Sequence, residues 1–147
     1  MPITDGSVIY LTAADICTVH QEIAARFSLT EQRFEPLILK PEQLDAAAAQ
    51  PHQTFGGADV YPDLFLKAAV LARGIICGHV FLDGNKRTGM EAAILFLEYN
   101  GISISLPRDE YVALALAIAG DRAAGFDPID PDEIAGRLRV FSTQQTD

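Results

Sequence analysis

The sequence predicts a mainly α-helical bundle of about six helices that carries one short β-hairpin. Three observations predict it. About half of the residues are apolar and there is no Trp, with Ala and Leu prominent and runs of β-branched residues scarce, a composition that favours helix over sheet. Apolar residues recur at three- and four-residue spacing in segment after segment. Pro, Gly and Asp separate those segments at places where helices start and stop. A chain of 147 residues can bury roughly two-thirds of its unfolded surface in one core. One domain is therefore expected over 1–147, with an ordered core at about 12–141.

Thr12 followed by Asp15 reads as an N-cap with an acidic first turn, and Ile16, Val19, Ile23 and Phe27 follow at helical spacing, so a first helix is expected over Ala13 to Arg26. Pro41 stands where a first helical residue is tolerated, and Leu44 to Ala49 is rich in the best helix former, so a second helix runs to about Gln50 and Pro51 ends it. From Pro51 to Pro62 glycines and prolines punctuate the chain, which reads as loop or short hairpin. From Pro62 a wide apolar face made by Leu64, Phe65, Ala68, Leu71, Ala72, Ile75 and Ile76 predicts a central third helix ending near Gly78.

A fourth helix is expected from about Arg87 to Tyr99, with Met90, Ala93, Ile94 and Leu97 inward and Gly101 as its stop. Ile102 to Ser105 alternates like a very short strand. Pro107 then opens a fifth helix to Ala119, with Asp109 and Glu110 in its first turn. Asp130 and Pro131 cap a sixth, about Asp132 to Phe141, and the last six residues read as disordered. The apolar stretch of the fifth helix, about ten residues, is too short to span a bilayer, which needs about 20.

The formal net charge of −9 opposes binding to a nucleic-acid backbone, so direct nucleic-acid binding is not expected. A local cationic cluster can still bind an anion, because salt screens charges over about 8 Å. The two cysteines, Cys17 and Cys77, have neither metal-site nor disulfide spacing and are expected as buried thiols in a reducing compartment. Met1 to Tyr10 contains Pro2, Asp5 and Gly6 and does not resemble a secretion signal. A cytoplasmic protein is expected.

Polar residues are concentrated between the third and fourth helices, in the run from Gly78 to Gly89. A helix N-terminus offers unpaired N–H groups and partial positive charge, and a Gly before it lets the backbone approach an anion. Gly84 and Asn85 lie where such a phosphate cradle forms. Lys86 and Arg87 put two cations at the same helix start, the wrong sign for the helix dipole, so this stretch favours an anion over stability. Asp83 is placed to hold Mg²⁺ through a carboxylate oxygen. His79 is the nearby side chain of the type that takes and gives protons at neutral pH. Phe81 and Leu82 are expected to anchor the loop in the core.

These residues resemble the Fic/Doc family, whose motif is His-x-Phe-x-(Asp or Glu)-(Gly or Ala)-Asn-(Gly or Lys)-Arg, and His79 to Arg87 match it throughout. Several chemically different residues at strict spacing make the motif specific. Looser similarity covers about Thr12 to Phe141. Lys86 in place of Gly, Met90 in place of a second Arg, and the short chain resemble the Doc (death-on-curing) branch of toxins, while Gly84 follows the wider family and not the Ala of the best-known Doc toxin.

The resemblance implies a Fic fold and an enzyme that transfers the γ-phosphate of ATP, with Mg²⁺, to a protein hydroxyl. The implied target is a threonine of elongation factor Tu, so that translation is inhibited. It also implies roles: His79 activates the hydroxyl, Asp83 binds Mg²⁺, Gly84 and Asn85 shape the anion hole, and Lys86 and Arg87 hold nucleotide phosphates. The family's inhibitory segment, (Ser/Thr)-x-x-x-Glu-(Gly/Asn), has its nearest counterpart in Thr18 to Glu22 followed by Ile23. That match fails, so inhibition is expected from a separate antitoxin. Thr54, Phe55, Gly56 and Gly57 are expected as a flap that docks the target by strand addition.

Plainer readings stand beside these. His20 and His52 are expected as satisfied structural residues. Asp83 can cap the following helix, and Lys86 and Arg87 can be a solvated helix end. Two other functions share the fold: a nucleotidyl (AMP) transferase using the same loop, and a catalytically silent module that binds an antitoxin.

Overall fold

The computed structural model describes residues 3–4 and 8–144. Among the described residues six helices, α1 (Ala13–Arg26), α2 (Pro41–Ala49), α3 (Leu64–Gly78), α4 (Asn85–Tyr99), α5 (Arg108–Ala119) and α6 (Pro131–Val140), are accompanied by short strands. The strands pair antiparallel as β1 (Ile3–Thr4) with β2 (Ile9–Tyr10), β3 (Thr54–Phe55) with β4 (Ala58–Asp59), and β5 (Ile102–Ile104) with β6 (Ser142–Gln144). This is a mainly α fold, as the sequence predicts. Among the described residues no helix is long and apolar enough to cross a membrane.

The helix starts follow from side chains that serve unpaired N–H groups. Thr12 and Asp15 form a reciprocal capping box at α1, with Asp15 N–H donating to Thr12 Oγ1 at 3.1 Å and Thr12 N–H donating to Asp15 Oδ2 at 2.8 Å. Asp63 Oδ1 accepts from the N–H groups of Phe65 and Leu66 at α3, and Asp130 Oδ1 accepts from Glu133 N–H at α6. Such caps are each worth about 1 kcal/mol.

All six helices contribute to one cluster of buried residues. It runs from Ile16 and Leu44 through Leu71, Ile75, Met90 and Phe96 to Leu114 and Ile134. The central helix is α3, which packs on α2, α4, α5 and α6. Its closest contact is with α4 at Gly89, where a Cβ would lie 2.6 Å from Ile76 Cγ1 and 3.0 Å from the Ala72 carbonyl. That approach fixes the position of α4's first turns against the end of α3.

Three sequence expectations need correction here. The chain does not leave helical geometry at Pro51 but makes one 3-10 turn over Gln50–His52, since Pro fits a helical N-terminal position. Helix α4 begins at Asn85 and not Arg87, because Gly84 adopts φ 78° and starts it. The last six residues are not all disordered: Ser142–Gln144 pair with Ile102–Ile104, and the remaining three lie outside the described residues.

The hairpin of β3 and β4 forms as expected, with Gly56 at φ 61° and Gly57 at φ 82°. Positive φ at both central positions is what a two-residue turn between twisted strands needs. Its base is tied to α3 by Lys67, which is 0% exposed. The Lys67 ammonium donates to the Pro51 carbonyl and to Asp59 Oδ2, both at 3.1 Å, and lies 5.3 Å from the centre of the Tyr10 ring.

Because the α3–α4 crossing leaves no room at position 89, Gly89→Ala is expected to destabilise the protein by about 1–3 kcal/mol through overpacking. This holds even though Ala is the better helix former. Thermal unfolding followed by circular dichroism checks it, and an unchanged or raised midpoint would contradict the close approach.

Candidate active site at the junction of two helices

The loop between α3 and α4 borders a cleft of about 460 Å³. His79, Asp83, Gly84, Asn85, Lys86 and Arg87 all line it. The structure therefore brings together every residue that the sequence singled out between positions 79 and 87 as catalytic, nucleotide-binding or metal-binding.

His79 ends α3 in the left-handed region, at φ 48° and ψ 49°. Among the described residues it is the only non-glycine with positive φ. That conformation costs of order 1 kcal/mol for a residue with a Cβ, and it turns the chain so that the imidazole, which is exposed, stands at the cleft. Next, Val80 and Phe81 are buried at 0% and 1%. Leu82, expected as a core anchor, is 55% exposed; Val80 and Phe81 carry the anchoring instead.

Asn85 holds this loop closed. Its Oδ1 accepts from Phe81 N–H at 2.9 Å, and its Nδ2 donates to Phe81 C=O at 2.8 Å. Both functions of the carboxamide are used on the loop, so what Asn85 offers the cleft is its backbone N–H. Thr88 N–H is the first to bond back into α4, to Gly84 C=O at 3.0 Å. The N–H groups of Asn85, Lys86 and Arg87 thus form the open helix end, as helix geometry requires.

The Asp83 carboxylate accepts from the adjacent Gly84 N–H through Oδ1 at 3.1 Å and is exposed at the cleft. Asp83 does not act as the N-cap of α4, a position that Gly84 occupies. Among the described residues no three His, Cys, Asp or Glu side chains come together as a metal cage. A lone exposed carboxylate suits Mg²⁺, which commonly takes one or two carboxylates and completes its shell with water and substrate phosphates.

Arg87 is oriented by α1 and by the segment that follows it. Its guanidinium carbon lies 4.3 Å from the centre of the Phe27 ring, and its Nη2 donates to Gln32 Oε1 at 3.4 Å. Lys86 is exposed beside it. One turn further along α4, Glu91 Oε2 accepts from the Tyr111 hydroxyl at 2.8 Å. Burial, reinforced by Glu91, pushes the Tyr111 phenol well above its usual range.

Further lining of the cleft comes from Phe27, expected only as part of the first helix's apolar period, and from Gln32 and Phe34, to which the sequence assigns no role. They lie on a strap, residues 27–40, tied to the loop along its backbone. Leu82 N–H donates to Leu37 C=O at 2.9 Å, and Leu39 and Lys40 N–H groups donate to Val80 C=O at 2.8 and 3.0 Å. Ile38 and Phe81 form an antiparallel bridge. The one signal available was Leu37-Ile38-Leu39 between Pro36 and Pro41, a short apolar run with strand character.

The expected flap residues do not reach this cleft. Thr54, Phe55, Gly56 and Gly57 are exposed but are not among its lining. Their hairpin is fastened at Lys67, and His79 lies twelve residues further along α3, about 18 Å at the helical rise. The strap, and not the hairpin, lines the cleft with His79.

Cys77, expected as buried, is exposed and lines the cleft, its thiol donating to Ile118 C=O at 3.2 Å. Partial burial raises its pKa, and the nearby Arg73 opposes the rise. Cys17 is half-buried. His52 is exposed and stacks on Tyr10 at 4.2 Å between ring centres, whereas His20 is buried beneath the loop.

A family model described as Fic/DOC family matches residues 10–97, more than half of the chain, including α1, the strap and the loop. Over 66 residues the chain is 46% identical to Toxin Doc of Mycolicibacterium smegmatis, an alignment covering 45% of this chain and 51% of that protein. The chain thus spans about half the length of this relative.

Gly84 combines φ 78° with a neighbour that leaves no space: a Cβ there would lie 2.7 Å from Phe34 Cζ. Gly84→Ala is therefore expected to lower stability by about 1–2 kcal/mol from the positive φ and the displaced ring. Differential scanning calorimetry should show the unfolding midpoint falling by roughly 2–6 °C. An Ala variant as stable as the parent would mean that the strap does not lie against the loop.

Proposed function

The chain belongs to the Fic/DOC family, and on that premise we propose that it is a protein phosphotransferase: it moves the γ-phosphate of ATP to a hydroxyl of a target protein. The observation that carries this reading is the junction of α3 and α4. A histidine held in αL at one helix end faces the same cleft as the open N-terminus and two cations of the next helix.

In this reading the nucleotide phosphates lie at the first turn of α4, against its N–H groups and the Lys86 and Arg87 side chains. Phe27 and Gln32 already hold the Arg87 guanidinium, so little ordering is left for binding to complete. His79 takes the proton from the target hydroxyl as its oxygen attacks the γ-phosphorus. The bond from that phosphorus to the bridging oxygen of the β-phosphate breaks, and ADP leaves. Asp83 would hold Mg²⁺, which when bound neutralises charge on the phosphates. The products are a phosphorylated target and ADP.

Lys86 supports phosphoryl over nucleotidyl transfer. In-line transfer requires the attacked phosphorus to face His79, so whichever phosphate fills the adjacent anion hole fixes the reaction. A Gly at position 86 would leave that hole open for a neighbouring phosphate and present the α-phosphorus. The Lys86 ammonium is a compact charge suited to the terminal phosphate instead.

The biological reading follows the likeness to Toxin Doc. It is the toxin half of a toxin–antitoxin pair, acts in the cytoplasm on a threonine of elongation factor Tu, inhibits translation, and is restrained by a separate antitoxin chain. Exposed Leu37, Leu39 and Leu82 border the loop and offer apolar surface to such a partner.

With a positioned general base contributing about 10²–10⁴-fold, His79→Ala should lose transfer by that factor while its circular dichroism stays that of the parent. A folded variant with undiminished turnover would remove His79 from the chemistry. Incubation with ATP labelled at the α or the γ position separates the two reactions. Label should pass to the target from the γ position alone, and Lys86→Gly should shift transfer toward the α label; α label on the target of the parent enzyme would refute phosphoryl transfer.

A further inference from the structure

We propose that His20, on α1, is a positioning residue of this site: its imidazole holds the backbone carbonyl of Asp83 and thereby aims the Asp83 carboxylate and the start of α4 into the cleft. This rests on the reading of the cleft as a transferase site.

The argument begins with the carbonyl groups of the loop. Val80 C=O is taken by the strap and Phe81 C=O by Asn85. Asp83 C=O is met by His20 Nε2 at 2.8 Å, across 63 residues of sequence. A carbonyl only accepts, so Nε2 carries the proton. The ring is clamped from two sides: it stacks on Phe81 with centres 3.7 Å apart and planes 8° apart, and Phe34 tilts against it at 5.3 Å. It is 1% exposed.

An imidazole buried only for packing would need no fixed direction. Here one ring joins four parts of the site: the rigid helix α1, the anchor Phe81, the strap at Phe34, and the residue that carries the carboxylate. Gly84, which follows Asp83, is pressed by the same Phe34 ring. Loss of the Asp83 bond therefore frees the peptide between the carboxylate and the helix N-terminus, although no side chain in the cleft is altered.

Substitutions separate direction from packing. His20→Gln places an amide N–H near the position of Nε2, His20→Asn places it near Nδ1, out of reach, and His20→Phe keeps the stacked ring without a donor. Amide hydrogen exchange at Phe81 and Leu82 reads loop opening without any catalysis. His20→Phe and His20→Asn should exchange there roughly three- to tenfold faster, the factor expected for one lost hydrogen bond, while Ile75 in α3 is unchanged. His20→Gln should stay close to the parent.

Transfer of γ label should follow the same order, falling about tenfold or more in the Phe and Asn variants and recovering in Gln. If His20→Phe matches the parent in exchange and transfer while His20→Gln is impaired, the ring serves packing and the proposal is overturned. If exchange follows the expected order but even the parent transfers no label, the transferase reading fails while the positioning role stands.

Discussion

Two helices packed along their length must be joined by a chain reversal, and a reversal at the edge of a core cannot leave its backbone unpaired. That constraint shapes everything at this cleft. Asn85 meets it for Phe81 in both directions, the strap meets it for Val80 and Leu82, and His20 meets it for Asp83. The loop is thus held by the first residue of α4, by residues 37–40 and by α1. None of this work falls on the side chains of His79, Lys86 or Arg87, which stay at the cleft surface. Rigidity of the loop and freedom of its polar side chains have one origin.

The same junction carries local costs that a purely structural turn would avoid. His79 occupies αL without being glycine, Gly84 is confined to positive φ beneath an aromatic ring, and two cations sit at a helix end whose dipole repels them. The first and last helices show the opposite pattern: α1 and α6 carry acidic residues in their first turns, and α6 ends with Arg137 and Arg139. Local chemistry agrees with the fold at α1 and α6 and departs from it at α4. Such a departure marks a site shaped by something other than stability.

That contrast also explains what was legible in the sequence. Helix α1 was readable to the residue because its capping box and its apolar period agree. The run from His79 to Arg87 was readable because chemically distinct residues stand at strict spacing. The strap was not, because residues 27–40 make neither a helix nor a paired strand of their own and gain their order from contacts with Val80, Phe81 and Leu82, about 45 positions away in sequence. The hairpin at 54–59 was legible as a hairpin, since glycines signal a turn but not where the turn will stand. The length of α3 decides that, with Lys67 and the hairpin at one end and His79 at the other. Exposure was hard to read for a similar reason: Leu82 and Cys77 are apolar by type, yet each stands beside a cleft that only the tertiary structure creates.

The net charge of −9 by itself argues against an anionic ligand, but for the nucleotide proposed here the local charge is the relevant quantity. Screening confines each charge to about 8 Å at physiological ionic strength, so the field at the first turn of α4 is set by what stands within that distance. Lys86, Arg87 and the open N–H groups supply the positive side, and Asp83 is the acidic group that lines the cleft with them. Acidic residues at other helix starts, such as Asp109 and Glu110 on α5 or Asp132 and Glu133 on α6, are spent on their own dipoles. Moreover, Lys86 and Arg87 repel both each other and the helix end. A phosphate placed there relieves both repulsions at once, while a neutral ligand relieves neither. The arrangement that is least favourable for the empty helix end is the one that discriminates most strongly in favour of an anion, and Asp83, as the neighbouring negative group, gains a role beside that anion only if a cation joins the two.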